Sequence, residues 1–160
     1  MIAARAIVSA ERPLVFAFLA DLENHWLLAD RFVEVLSLEG PPGARNGGKV
    51  AVRGPLGIRR TATTRVVRSD APESMEGTAE IGRRTRARVS WTLAQHPQGT
   101  RVRLEARVEE VGLLDRILLA MGGRRWLAHR FSKVIEAIPS LLPQSPEVSS
   151  PGSWAGSGSR

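Results

Sequence analysis

Two stretches in the second half of the chain decide the fold: TRARVSWTLA at positions 85–94 and RVRLEARVEEV at positions 101–111. In the first, every odd-numbered side chain from Ala87 to Leu93 is apolar, and in the second every even-numbered one from Val102 to Val108 is apolar. A period of two is typical of β-strands, whose alternate side chains point to opposite faces of a sheet. The two stretches therefore predict an antiparallel hairpin with one buried face and one solvated face.

A single register of this hairpin satisfies both of its faces. Turning the chain at residues 95–99 (QHPQG) places apolar side chains opposite apolar ones and a basic side chain opposite an acidic one. The predicted pairs are Trp91 with Leu104, Val89 with Ala106, and Arg86 with Glu109. Because Trp91 is the largest side chain on the apolar face, we expect it to be a buried anchor of the sheet.

The chain before this hairpin predicts one strand, two short helices and further strands. Residues 2–8 alternate weakly, and Pro13, which is tolerated in a first helical turn, precedes apolar residues at helical spacing over residues 14–22. Asn24 is predicted to cap a second short helix. From there the period returns to two, and we predict strands at residues 33–38, 49–53, 58–68 and 75–81, with a turn at residues 54–57 (GPLG).

Residues 113–142 supply a helix that can cover the apolar face of the sheet, because their apolar side chains fall in one stripe about 120° wide. The stripe consists of Leu113, Ile117, Ala120, Met121, Leu127, Ala128, Phe131, Val134, Ile135 and Ile138. Gly122 and Gly123 interrupt it, which leaves two interpretations of Arg124. If the glycines break or kink the helix, Arg124 turns to the surface. If the helix is continuous, Arg124 points inward and binds a ligand carboxylate or carbonyl, or pairs with Glu110.

The composition limits the class of protein. A chain of 160 residues has room for one domain, and the absence of cysteine excludes disulfides and thiolate zinc sites. Since no stretch approaches the roughly 20 apolar residues of a membrane span, we expect a soluble cytoplasmic protein. Residues 143–160 are rich in proline, glycine and serine, and predict a disordered tail that follows a domain at residues 1–142.

The positive charge is concentrated in the predicted strands. The net charge is +7, and between Arg45 and Arg88 there are 11 basic residues against four acidic ones, an excess equal to the charge of the whole chain. Such a stretch attracts polyanions. However, the chain has no tyrosine, and its phenylalanines and tryptophans are not interleaved with these arginines as base-stacking platforms would be. We therefore expect a solvated sheet face and no specific nucleic-acid partner.

The segment from Ser9 to Trp26 (SAERPLVFAFLADLENHW) resembles the first strand end and helix pair of the START-like (SRPBCC, polyketide-cyclase-like) superfamily. The order of the later elements is similar too, over roughly residues 1–142. The resemblance implies an α+β helix-grip fold, in which a curved antiparallel sheet wraps around a long C-terminal helix and two short helices follow the first strand. Members of this superfamily transport lipids, bind hormones or quinones, cyclise polyketides or assist partner proteins, so the fold alone implies no single function.

The resemblance also implies a cavity between the concave sheet face and the long helix. The inward sheet positions include several small residues, namely Ala62, Thr64, Gly77, Ala79, Ala87 and Ala106. Small residues opposite a helix leave either space or close packing, and we expect a ligand-sized space. The predicted cavity-lining residues are His25, Trp26, Thr64, Ala79, Val89, Trp91, Leu104, Ala106, Met121 and Arg124.

Patterns for catalysis or metal binding are sparse. The sequence contains no nucleophile elbow, phosphate loop or dinucleotide fingerprint. A metal site formed by His25, Asp21 and Asp30 matches no ligand spacing, so capping and surface roles are favoured for these residues, and no metal or cofactor is expected. The polar groups available for polyketide chemistry are His25, Thr64, Glu110 and Arg124.

We therefore expect a nonenzymatic protein that binds or carries a small hydrophobic molecule. The first alternative is a polyketide cyclase or dehydratase that uses the same cavity. Polar groups near a ligand carbonyl would favour that enzyme, whereas an apolar cavity favours the carrier. The second alternative is a protein-interaction or chaperone-like module.

Overall fold

The computed structural model describes residues 1–29, 33–53, 57–82 and 84–142, except for the side chains of residues 114, 115, 118, 119 and 121. The strands are β1 (Ile2–Val8), β2 (Val33–Glu39), β3 (Gly47–Arg53), β4 (Arg59–Asp70), β5 (Ser74–Ile81), β6 (Thr85–His96) and β7 (Gly99–Glu110). The helices are α1 (Arg12–Ala20), α2 (Leu22–Ala29), α3 (Leu113–Leu118) and α4 (Arg124–Leu141), with a π-helical turn at Leu119–Gly123. The predicted tail at 143–160, and the predicted turn at 54–57 apart from Gly57, lie outside the described residues.

The strands form one antiparallel sheet in the order β1, β7, β6, β5, β4, β3, β2. The sheet curves around α4, and α1 and α2 follow the first strand, so the predicted α+β helix-grip fold is confirmed. The predicted register of the apolar face is confirmed as well, with Trp91 opposite Leu104 and Val89 opposite Ala106. Alternation of apolar and polar residues therefore set both the strands and their pairing.

The predicted pairing of Arg86 with Glu109 is wrong. A β-bulge shifts the register by one residue at this end of the hairpin, so that Arg86 lies opposite Glu110. Glu109 instead accepts a hydrogen bond from Nε of Arg88 at 3.0 Å. Two adjacent glutamates give no sequence signal for the extra residue that a bulge contains, and either can pair with an arginine on the solvated face.

Both short helices begin earlier than the sequence predicted. Helix α1 starts at Arg12, with Pro13 in its first turn. Asp21, and not Asn24, caps α2, because its Oδ1 accepts a hydrogen bond from the backbone N of Glu23 at 3.0 Å. The Asn24 side chain lies within α2 and donates from Nδ2 to the carbonyl oxygen of Phe18 at 2.7 Å, which ties the two short helices together.

The packed core occupies one end of the concave face. There the C-terminal half of α4 and the inner face of α1 lie against β1, β6 and β7. The side chains of this core cluster that are buried most completely are Val8, Val15, Leu19, Val102, Ile135 and Ile138. None of the helices in the described ranges is long and apolar enough to cross a membrane.

The C-terminal helix is interrupted where the two glycines fall. Gly122 has φ +104°, a conformation that a continuous α-helix does not contain, and it lies in the π-helical turn between α3 and α4. The single apolar stripe predicted for residues 113–142 is therefore wrong in its first part. Leu113 is 73% exposed and Ile117 is 47% exposed, while the stripe continues into the core along α4.

Candidate functional site

A cavity of about 240 Å³ lies at the other end of the concave face, beneath α2 and the N-terminal half of α4. It is partly open to solvent and almost entirely apolar in its lining. Its floor includes several small residues of neighbouring strands, namely Ala62, Gly77, Ala79, Ala87 and Ala106. Leu127 and Phe131 of α4 form part of its roof. The cavity exists because the small side chains of the floor leave space that these helix residues do not fill.

Eight of the ten predicted cavity-lining residues meet at this cavity. They are His25, Trp26, Thr64, Ala79, Val89, Trp91, Leu104 and Ala106. The side chain of Met121 lies outside the described part of the chain. Arg124 is exposed and does not line the cavity, so the inward orientation suggested for it is corrected. The cause is the π-helical turn, which shifts the phase of α4 relative to a continuous helix.

The sequence did not single out the contribution of β3 or the full contribution of α2. Val50 and Val52 of β3 line the cavity beside Ala62, and Leu22 and Ala29 of α2 line it beside His25 and Trp26. The signal for the first pair was present, since Val50 and Val52 alternate in the same way as the hairpin residues. A short helix such as α2 gives no comparable signal, because most of its positions are apolar.

Trp91 stands at the boundary between the cavity and the core. Its side chain is only 4% exposed, and it contacts the core cluster while also lining the cavity. The ring of His25 lies on it, with 5.3 Å between the ring centroids and an angle of 56° between the planes. The pair forms a rigid aromatic wall, since each ring restricts the rotation of the other.

His25 carries the titratable side chain of the cavity. Its Nε2 lies 2.7 Å from the carbonyl oxygen of Leu19, at the end of α1. Burial lowers the pKa of His25 from 6.5 to about 4, although the Leu19 carbonyl and the nearby Asp21 carboxylate both act to raise it. The imidazole is therefore neutral at pH 7. The residue is half-buried and lines the cavity.

The described residues give no support to a metal site formed by His25, Asp21 and Asp30. The Oδ1 atom of Asp21 accepts hydrogen bonds from the backbone N atoms of Glu23, at 3.0 Å, and Arg45, at 3.3 Å. This carboxylate joins the start of α2 to the loop before β3, which is a structural role. Asp30 lies outside the described residues. Within the described ranges, no group of three acidic or histidine side chains could hold a metal ion.

Two further polar side chains reach the cavity. Thr64 donates from Oγ1 to the carbonyl oxygen of Gly48 at 3.4 Å, so its hydroxyl proton has a partner within the sheet. The indole Nε1 of Trp26 is buried and has no hydrogen-bond acceptor among the described residues. A buried donor without an acceptor is costly, so this nitrogen lowers the stability of the fold, and it offers no accessible surface to a ligand in the cavity.

Glu110, the remaining polar candidate of the sheet, lies on its solvated face. Glu110 is exposed and forms an ion pair with Arg86 at 3.6 Å. Other arginines of the basic stretch are paired with carboxylates of nearby strands, and those of β4 reach across β3 to β2. These pairs are Arg59 with Glu34 at 2.8 Å, Arg65 with Glu39 at 3.0 Å, and Arg88 with Glu109 at 3.0 Å. These carboxylates partly neutralise the positive charge of the face, as is expected of a face exposed to solvent.

Comparison with known proteins identifies relatives in structure only. No family model matches the chain, and no curated protein matches it. A solved structure from Thermus thermophilus is 16% identical, with a TM-score of 0.65 over 87% of this chain and 94% of that chain. One from Chromobacterium violaceum is 16% identical, with a TM-score of 0.63 over 89% and 98%. One from Mycobacterium smegmatis is 17% identical, with a TM-score of 0.62 over 89% and 90%. At these identities the likeness shows the fold alone.

Proposed function

We propose that this protein binds and carries a small apolar molecule in the cavity between the sheet and α4. The observation that carries the proposal is the cavity itself, which measures about 240 Å³ and is lined almost entirely by apolar side chains. Because the cavity is partly open to solvent, its apolar lining is in contact with water when no ligand is bound. Contact between apolar surface and water is unfavourable, and an apolar ligand removes it.

Five residues in the floor of this space, on the adjacent strands β4 to β7, are alanine or glycine. Larger side chains at Ala79, Ala87 or Ala106 would fill the cavity without altering the strands, because these positions face inward in a regular sheet. Protein interiors are normally packed to the density of organic crystals. We infer that the small residues serve to keep the space open.

Membership of the START-like superfamily is part of the same proposal. It is supported by the helix-grip architecture and by the helix pair that follows β1. In that superfamily the space between the sheet and the C-terminal helix holds the ligand, which is the location of the cavity here.

A cyclase or dehydratase is the less favoured alternative. Cyclisation of a polyketone requires several polar groups to orient the chain and move protons. Among the described residues, His25 is the titratable side chain whose functional group lines the cavity, while Glu110 and Arg124 are exposed. An apolar lining of this kind supports binding and carriage.

Matched substitutions of alanine by leucine test the proposal. Ala79→Leu places a larger side chain inside the cavity, whereas Ala94→Leu makes the same change at an exposed position of β6. We expect naphthalene to bind the wild-type protein and Ala94→Leu equally, and to bind Ala79→Leu at least about tenfold more weakly, because the space is filled. Fluorescence titration of the naphthalene measures this. No binding to the wild type, or equal binding to Ala79→Leu, contradicts the proposal.

The natural ligand is best identified by native mass spectrometry of protein purified gently from its own cells. A mass increment that Ala79→Leu lacks and Ala94→Leu retains would identify the occupant of the cavity.

A further inference from the structure

His25 lines the cavity and has one ring nitrogen that no described residue contacts by a hydrogen bond. A carbonyl oxygen accepts only, so the 2.7 Å contact with Leu19 requires the proton of the ring to be on Nε2. The neutral ring has one proton, so its other nitrogen, Nδ1, carries a lone pair. Nδ1 is therefore the nitrogen of this cavity-lining ring that is free to accept a hydrogen bond.

No cationic group accompanies this acceptor in the described part of the lining. Arg65 contributes to the lining, but its guanidinium is exposed and pairs with Glu39 at 3.0 Å. Arg124 is exposed outside the cavity, and Arg60, which is half-buried on β4 opposite Val52, does not line it. In addition, the negative charge of Asp21 acts on His25. A ligand carboxylate would therefore be buried without a counter-charge and would face a lone pair and a neighbouring carboxylate.

A hydroxyl group, which can donate, matches an acceptor of this kind, whereas a carboxylate only accepts. The neighbouring Nε1 of Trp26 is fully buried, without surface open to the cavity, and takes no part in this contact.

The size of the cavity sets the size of the ligand. A cavity of about 150 Å³ lined by apolar side chains holds a benzene ring. The volume of about 240 Å³ found here therefore suits a molecule of about two fused rings.

Resting on the proposed function, we propose that the cavity selects a neutral hydroxylated ligand of about this size, whose hydroxyl group donates a hydrogen bond to Nδ1 of His25, and that it rejects carboxylates. His25 then determines specificity, and the apolar lining provides most of the affinity.

Four probes of one shape test the inference: naphthalene, 2-naphthol, 2-methoxynaphthalene and 2-naphthoate. We expect the wild-type protein to prefer 2-naphthol to 2-methoxynaphthalene, which cannot donate a hydrogen bond, by about 3- to 10-fold. 2-Naphthoate should not bind at concentrations at which naphthalene saturates the protein. Equal binding of 2-naphthol and its methyl ether, or tight binding of 2-naphthoate, would overturn the inference.

Two histidine variants locate the hydrogen bond. His25→Phe keeps an aromatic ring but removes the acceptor, and His129→Phe makes the same change at an exposed position of α4. The ratio of the naphthalene Kd to the 2-naphthol Kd, compared between proteins, cancels the different hydration of the probes. We expect this ratio to fall at least about fivefold in His25→Phe and to be unchanged in His129→Phe. If this ratio falls in neither variant, His25 does not form the proposed hydrogen bond.

The outcomes separate this inference from the proposed function on which it rests. If none of the probes binds, both fail. If naphthalene binds but 2-naphthol has no advantage that depends on His25, the carrier function stands and the hydroxyl specificity is wrong. Nitrogen-15 NMR of the wild-type imidazole needs no variant. The Nδ1 resonance should move toward lower shift on addition of 2-naphthol and stay in place on addition of naphthalene, and no movement with either bound probe refutes the contact.

Discussion

The buried His25 should make the protein less stable as the pH falls below neutral. In the unfolded chain its pKa is 6.5, whereas in the folded protein burial lowers it to about 4, against the opposing effects of the Leu19 carbonyl and Asp21. Between these values the unfolded chain binds a proton that the folded protein does not. The stability that depends on the neutral ring is therefore complete above pH 6.5 and is lost as the pH falls toward 4.

The size of this loss follows from the difference between the two pKa values. One pKa unit corresponds to about 1.4 kcal/mol, so the whole loss is about 3 kcal/mol. Lowering the pH from 7 to 5 should remove about 2 kcal/mol of it, because the unfolded form is then almost fully protonated at His25 while the folded form is not.

The assay is urea unfolding at pH 7, 6 and 5, followed by circular dichroism, for the wild-type protein and for His25→Phe. The carboxylates and the other histidines titrate in both proteins, so the difference between the two stability curves isolates His25. We expect this difference to change by about 2 kcal/mol between pH 7 and pH 5. Parallel curves would show that the ring takes up its proton normally in the folded state. NMR titration of the His25 ring protons, which should not shift above pH 5, provides the same test without a substitution.

Three further predictions concern stability. Trp91→Ala should lower the free energy of unfolding by about 3 kcal/mol. This value is at the lower end for a buried aromatic residue, because one side of the ring already borders a cavity. A loss below about 1 kcal/mol in urea unfolding would contradict its place in the core. Gly99→Ala should lower the free energy of unfolding by at least about 2 kcal/mol, since φ is +130° and the added methyl group would overlap the carbonyl oxygen of Val8. Gly82→Ala, at φ +61° with open space around it, should lower it by about 1 kcal/mol. Equal effects of the two substitutions would disprove the steric argument. Arg124→Leu should change the free energies of unfolding and of naphthalene binding by less than about 0.5 kcal/mol, because the side chain is exposed outside the cavity. A larger effect on binding would show that Arg124 belongs to the site.

Local sequence patterns were sufficient to predict most of the fold. The alternation of residues around Trp91 and Leu104 predicted the strands, their register and the apolar face, because a one-residue slip would turn every side chain to the wrong side. The small residues at Ala79 and Ala106 identified the face on which the cavity lies. The bulge that moves Arg86 from Glu109 to Glu110 was not predictable, since both pairings satisfy the same charges.

The sequence by itself thus determined the order of elements, the buried face and most of the side chains that line the cavity, since these depend on period and residue size. The tertiary structure decided what depends on contacts between distant segments. Asp21 caps α2 while also accepting a hydrogen bond from Arg45, far away in sequence. The conformation of Gly122 turns Arg124 outward. The carbonyl of Leu19 fixes the proton on Nε2 of His25, and only the packing of α4 against the sheet leaves a space beside it.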